Sequence, residues 1–105
     1  MILHEEVEKL TQDIEATNKP KAFDLCRRGA LLRKLGMVKQ AEQDLNRVIK
    51  LEPDLTDAYW HRHLLYLLQD KKKEALSDLN FIIKKNKKHA GAWRSRAEIY
   101  RQQNN

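Results

Sequence analysis

The sequence is poor in residues that cross-link or interrupt a chain. Among 105 residues it has one cysteine, Cys26, three glycines and two prolines. A single cysteine cannot form a disulfide within the chain, so we expect a reducing, intracellular and cytoplasmic setting. Scarce glycine and proline exclude collagen-like and low-complexity sequences and favour regular helices.

Long apolar runs are also missing. No segment approaches the roughly 18 apolar residues that a membrane helix needs, and Glu5 and Glu6 come too early for a signal peptide. We therefore expect no membrane association. Hydrophobic residues make up 41% and charged residues 34%, a balance that suits one modest core formed by amphipathic helices.

Residue patterns for catalysis and for ligand binding are absent as well. Gly29, Gly36 and Gly91 lie too far apart for a phosphate-binding loop, and no metal-ligand spacing or nucleophile–base grouping occurs. His61 and His63 are two residues apart and do not share a helix face. We interpret His63 as a packing residue, and we expect either that the second helix pair splays to admit its ring or that the ring tilts outwards. The sequence predicts a protein that is not an enzyme and has no cofactor or metal.

What the sequence does have is an internal repeat of 34 residues. Copy one (22–55) and copy two (56–89) align without gaps, and copy three (90–105) is partial. The nine identities between the first two copies are Arg28/Arg62, Leu31/Leu65, Lys39/Lys73, Ala41/Ala75, Asp44/Asp78, Leu45/Leu79, Asn46/Asn80, Ile49/Ile83 and Lys50/Lys84. Chance would supply roughly two, given ordinary composition.

Each full copy predicts two helices. Apolar residues step by three and four along 38–51 and again along 72–85, which is the period of a helix with one buried face. The first helix of the copies ends at Gly36, Asp70 and Asn104, residue types that accept the left-handed conformation closing a helix.

The pattern resembles the tetratricopeptide repeat family. The residues that carry the resemblance are Leu25, Gly29, Leu32, Ala41, Leu45 and Pro53 in copy one, Tyr59, Tyr66, Ala75 and Leu79 in copy two, and Trp93, Ala97 and Tyr100 in copy three. Copy two departs from the family pattern at His63 and Lys87. The resemblance implies an all-α fold in which about six helices form antiparallel helix–turn–helix repeats stacked as a short right-handed α-solenoid.

The predicted organisation is one domain over residues 1–105. Residues 1–21 hold an N-terminal helix, which is either a degenerate half repeat or an unrelated capping helix. Repeats follow at 22–55 and 56–89, and residues 90–105 form the first helix of a third repeat or a C-terminal cap. Because the chain both starts and stops part-way through a repeat, two alternatives stay open. Either residues 90–105 cap the array, or the chain is a piece of a longer array.

The arginine and aspartate that recur between copies predict structural ion pairs. These residues are Arg28, Arg62, Arg96, Asp44 and Asp78. A buried arginine is costly unless it is paired. Each aspartate could reach the arginine of its own copy or that of the next copy, and we favour the next copy because this would set the stacking register.

The resemblance also implies a binding surface, since the first helices of such repeats line a concave wall that binds peptides or helices. The residues predicted to line or rim this groove are Phe23, Cys26, Ala30, Arg33, Lys34, Trp60, Leu64, Leu67, Leu68, Arg94 and Arg101. We expect a scaffold module that binds an amphipathic helix or an extended peptide with apolar anchors and acidic flanks.

Two other functions stay open. The apolar wall could be covered by a second copy, which would make the protein a homodimer or another self-associating module. The net charge of +6, concentrated in the lysines of 71–73 and 84–88, could also support weak binding of nucleic acid or of an acidic protein. We favour a protein partner over nucleic acid, because these two lysine groups lie at opposite ends of one predicted helix, roughly 20 Å apart.

Overall fold

A computed structural model describes residues 2–104. Over that range the chain forms six α-helices and no strand, which confirms the predicted all-α class. The helices are α1 (Leu3–Glu15), α2 (Ala22–Lys34), α3 (Val38–Leu51), α4 (Thr56–Leu68), α5 (Lys72–Lys85) and α6 (Ala90–Gln103). None of these helices has both the length and the apolar character needed to cross a bilayer.

The chain divides into two compact units. The N-terminal unit extends to Ala58 and contains α1, α2 and α3, whereas the C-terminal unit begins at Tyr59 and contains most of α4 together with α5 and α6. The helices of copy one therefore form part of the first unit. The helices of copies two and three lie in the second unit, apart from the first three residues of α4.

In the N-terminal unit, α2 packs against both α1 and α3. The apolar stripe of α3 faces this contact, since Ala41, Leu45 and Val48 are fully buried. Gly29 on α2 faces α3, and a Cβ atom placed there would meet the side chain of Leu45 at 2.9 Å. A glycine at this position therefore allows α3 to approach the backbone of α2.

In the C-terminal unit, α5 packs on α6. Aromatic and ionic contacts also join α5 to α4. The rings of Tyr59 and Phe81 stack with their centroids 4.1 Å apart. Leu65, Leu79 and Ile99 come from three different helices and are almost completely buried. The core of this unit therefore lies among α4, α5 and α6, as the apolar stripe predicted along 72–85 requires.

The first helix of each copy ends where the sequence predicts, and two of the three ends have the left-handed conformation. Gly36 and Asp70 have φ values of +79° and +58°. Around them the N–H of Met37 bonds to the carbonyl of Leu32, and that of Lys71 bonds to the carbonyl of Tyr66, which is the bonding of a Schellman turn. The third predicted end is confirmed in position, since α6 ends at Gln103 and Asn104 is its C-cap, but Asn104 has a φ of −90° and does not adopt the left-handed conformation.

The recurring arginines and aspartates pair within a copy. Arg28 donates from Nε and Nη2 to Asp44 at 2.7 and 2.8 Å, and Arg62 donates from the same two nitrogens to Asp78 at 3.0 and 2.7 Å. The pairing with the next copy, which we favoured from the sequence, was therefore wrong. Each bridge joins the two helices of one hairpin.

Among residues 2–104, Arg96 has no carboxylate as an ion-pair partner. Its Nη1 donates to Asn80 Oδ1 at 2.8 Å, and its guanidinium lies 4.4 Å from the centre of the Trp93 ring. The prediction that Arg96 belongs to a structural ion pair was therefore wrong within the described residues. Arg96 instead stacks on the face of the Trp93 ring and donates a hydrogen bond to the side-chain amide oxygen of Asn80 on α5.

Candidate functional site

A cleft of about 520 Å³ lies between α4 and α6 of the C-terminal unit. The residues that line it are Leu67, Asp70, Lys72, Arg94, Ser95, Glu98, Ile99 and Gln102. Arg94, Glu98 and Gln102 are four residues apart along α6, so they form one polar stripe along the cleft. Leu67 comes from the last turn of α4 and supplies apolar surface on the other side. We call this feature the α4–α6 cleft.

Most of the charges in the α4–α6 cleft are compensated. Lys72 Nζ lies 4.0 Å from Asp70 Oδ1. Glu98 accepts from Arg101 Nε at 2.9 Å and from Arg101 Nη2, and these hydrogen bonds lower the pKa of Glu98. Arg101, which we predicted to be available at the groove rim, is therefore engaged by Glu98 of its own helix.

Arg94 is the exception among the charged groups of the α4–α6 cleft. It is exposed, and none of the carboxylates in residues 2–104 forms an ion pair with it. Leu67 is half-buried, and Leu68, the next residue of α4, is 62% exposed. Of the predicted groove residues, Leu67 and Arg94 are the two that line this cleft.

Trp60 does not present a free face as the sequence predicted. Its ring centre lies 4.5 Å from that of His63 and 5.3 Å from that of His89. A Cβ atom placed on Gly91 would meet the indole at 3.1 Å. Trp60 is therefore half-buried against the start of α6, while Leu64 is also half-buried.

His63 lies fully inside the C-terminal unit, so it is a packing residue as predicted, and of the two expected arrangements the outward tilt of its ring was wrong. Nδ1 bonds to the carbonyl of Trp60, and Nε2 lies 2.9 Å from the hydroxyl of Ser95. A carbonyl can only accept, so Nδ1 carries the proton and Nε2 accepts from Ser95. The histidine therefore links α4 to α6 behind the α4–α6 cleft.

The predicted groove residues of α2 lie in the N-terminal unit and differ widely in exposure. Phe23 is 70% exposed and Lys34 is exposed, whereas Ala30 and Arg33 are half-buried. Arg33 Nε is enclosed and has no hydrogen-bond partner within residues 2–104, and burial lowers the pKa of this guanidinium.

Cys26 is buried, so it does not line an open groove as predicted. Burial, together with the negative charge of Asp57, raises the pKa of its thiol from 9.0 to about 11. A thiol with this pKa is almost entirely protonated near neutral pH and is a weak nucleophile.

The sequence did not predict that Asp70, Lys72 and Ser95 line the α4–α6 cleft. Asp70 and Lys72 join the α4–α6 cleft because the turn at Asp70 returns the chain beside α6, which no local pattern indicates. Ser95 next to Arg94 also gave no signal by itself. His89 carries no recognisable signal in the sequence, yet its Nδ1 accepts from the N–H of Ala92 and caps α6.

Comparisons with known proteins add no family. None of the family models that were scanned matches the chain, and the search of curated proteins finds no significant match.

Within the described residues, no group of three or more histidine, cysteine, aspartate or glutamate side chains could hold a metal ion.

Proposed function

We propose that this protein is a tetratricopeptide-like, non-enzymatic interaction module, and that its α4–α6 cleft binds a peptide segment of a partner protein. The observation that carries the proposal is a cleft of about 520 Å³ that combines Leu67 with Arg94, which pairs with none of the carboxylates of residues 2–104. A cleft of this size accepts one or two side chains of an extended segment or of one helix face.

The chemistry of the α4–α6 cleft defines the peptide. An aliphatic or aromatic side chain packs on Leu67, and burial of such a side chain contributes about 1.5–3 kcal/mol. A carboxylate placed next to that anchor pairs with Arg94. After the cost of association, two such contacts suit dissociation constants on the order of micromolar.

The test uses the whole chain and a displayed library of short random peptides. Selected peptides are synthesised with a fluorescent label, and their dissociation constants are measured by anisotropy. We expect an apolar residue beside an acidic residue in the selected sequences. Arg94→Glu should weaken binding at least tenfold, since it replaces attraction by repulsion in a partly enclosed site. Leu67→Ala should also weaken it.

Arg47→Glu is the matched control, because Arg47 is an exposed arginine in the middle of α3 in the other unit. It makes the same charge change, and it should leave the dissociation constant within about twofold. Unchanged binding by Arg94→Glu and Leu67→Ala together would refute the α4–α6 cleft as the site. Sedimentation analysis of the same proteins tests self-association, and a dimer dissociated by Leu67→Ala would show that the cleft serves a second copy instead.

A further inference from the structure

A second face of α6 is chemically distinct from the α4–α6 cleft. Trp93, Arg96, Ala97 and Tyr100 follow one another at intervals of three, one and three residues and form a single stripe, which we call the Trp93 stripe. Trp93 is 43% and Tyr100 is 45% exposed. Arg94 lies about 200° around the helix from Arg96, so the cleft and the stripe are separate surfaces.

The internal repeat shows what the equivalent faces of the earlier copies do. The residues at the same repeat positions are Leu25, Arg28, Gly29 and Leu32 in copy one, and Tyr59, Arg62, His63 and Tyr66 in copy two. Leu25 and Tyr59, which correspond to Trp93, are both buried. In each copy this face carries the ion pair to the second helix, α3 or α5. The Trp93 stripe thus has the composition of a face that receives a helix.

The hydrogen bonds of Arg96 match those of Arg28 at one nitrogen and differ at the other two. Arg28 donates from Nη1 to Thr11 on α1, the helix before its own hairpin, and turns Nε and Nη2 towards Asp44 on α3. Arg96 likewise donates from Nη1 back to Asn80 on the preceding helix, α5. Its Nε and Nη2 make none of the hydrogen bonds found among residues 2–104. The edge that binds an aspartate in the other two arginines therefore has no hydrogen-bond acceptor among residues 2–104 in Arg96.

The Trp93 stripe is also held in place. Trp93 Nε1 donates to the carbonyl of Lys87 at 2.8 Å, which fixes the indole. The guanidinium of Arg96 stacks 4.4 Å above that ring, a contact that favours one orientation of the arginine. Ala97 stands at the repeat position of Gly29, which contacts the leucine following the aspartate of α3. A small residue here leaves room for a leucine from a docked helix.

We infer that the Trp93 stripe docks an amphipathic helix of another protein, whose aspartate pairs with Nε and Nη2 of Arg96. The helix carries a small residue three positions before the aspartate and a leucine directly after it. This is the pattern of Ala41, Asp44 and Leu45 in α3, and of Ala75, Asp78 and Leu79 in α5. A second copy is disfavoured, because Asp44 and Asp78 are buried in hairpins of their own and one hairpin would have to open to release them.

The test adds a synthetic peptide with the sequence of residues 37–52 to the isotope-labelled full chain, and follows binding by NMR. We expect saturable shifts of the Trp93 indole N–H and of the Arg96 side chain, with the Trp60 indole unaffected. Asn in place of Asp at position 44 of the peptide should weaken binding about tenfold, and so should Arg96→Gln in the protein. Because both changes remove the same contact, their combination should cost little more than either one.

Arg47→Gln in the protein is the matched control, and it should bind the peptide as the unchanged chain does. Additive losses in the double change, or shifts at Gly29 instead of Trp93, would overturn the inference. Sedimentation of the chain alone provides the remaining outcome, since a dimer that Arg96→Gln dissociates would identify a second copy as the occupant. Peptide docking here does not depend on Arg94, so failure of the α4–α6 cleft proposal leaves this test intact.

Discussion

Cys26 is the single cysteine of the sequence, and its thiol is enclosed in the N-terminal unit. Its position on the first helix of copy one predicted a place in an open groove, yet the side chain is 7% exposed. A thiol has little polarity of its own and behaves as a small apolar group when it is enclosed. Burial therefore removes Cys26 from the surface that a partner could contact, and its main effect is on the protonation of the thiol.

The raised pKa of Cys26 leads to a prediction about alkylation. At pH 9 an ordinary thiol with a pKa of 9.0 is half ionised, whereas one with a pKa of about 11 is roughly 1% ionised. Iodoacetamide should therefore react about 50-fold more slowly with the folded protein than with the urea-unfolded chain at pH 9. The rates can be measured by mass spectrometry.

The same shift predicts the direction of a pH effect on stability. The folded state keeps the proton that the unfolded chain loses, so the contribution of Cys26 is fully present below pH 9 and is lost as the pH rises towards 11. Cys26→Ala removes the group and serves as the control, since its free energy of unfolding should lack this component. Equal alkylation rates in the folded and unfolded states would contradict the assignment.

At the scale of elements, buried ion pairs join the helices of each hairpin. Asp78 on α5 has 3% of its side chain exposed and bonds to Arg62 on α4. Burial raises the pKa of Asp78, although the hydrogen bonds from Arg62 oppose that change. The carboxylate and the guanidinium therefore depend on each other to offset the cost of desolvation.

Removing one partner of this pair should destabilise the protein strongly. We expect Asp78→Ala to lower the free energy of unfolding by about 3 kcal/mol, because Arg62 would remain partly buried without its carboxylate. Urea denaturation followed by circular dichroism measures the change. Glu6→Ala is the control: it removes an ion pair to Arg27, whose side chain is 54% exposed, and should cost less than about 1 kcal/mol. Similar losses for the two variants would contradict the structural role of Asp78.

The elements also show where sequence reasoning succeeds. The apolar stripe of α3 and its repetition in α5 predicted both helices, because burial of one face imposes a spacing of three and four residues. The arginine with which each aspartate pairs was not predictable in the same way. Asp44 is 16 residues from Arg28 and 18 from Arg62, so chain separation favours neither partner, and helix packing decides between them.

At the scale of the whole molecule, the net charge of +6 predicts weak and nonspecific binding of polyanions. Lysines occupy both ends of α5, which is 14 residues long, so they lie roughly 20 Å apart and present no single phosphate-binding face. Binding of a labelled poly(U) RNA should be detectable at 50 mM salt and should fall by more than tenfold at 200 mM, because it depends on counterion release.

A peptide selected on the α4–α6 cleft provides the comparison for that experiment. Its affinity depends partly on burial of an apolar anchor, so it should change less than RNA binding over the same salt range. RNA binding that persists at 200 mM salt and depends on base sequence would contradict the interaction-module proposal and favour the nucleic-acid alternative.

Sequence patterns alone were enough to predict the helices, their order and the alignment of copies one and two, because these follow from local periodicity and from a 34-residue repeat. The contacts of each side chain depended on how the helices pack in three dimensions. That packing buries Cys26 and His63, covers Trp60 with the start of α6, and leaves Arg94 without an ion pair to any carboxylate of residues 2–104. Burial and pairing depend on which helices approach one another and at what distance, and periodicity along one helix does not specify either.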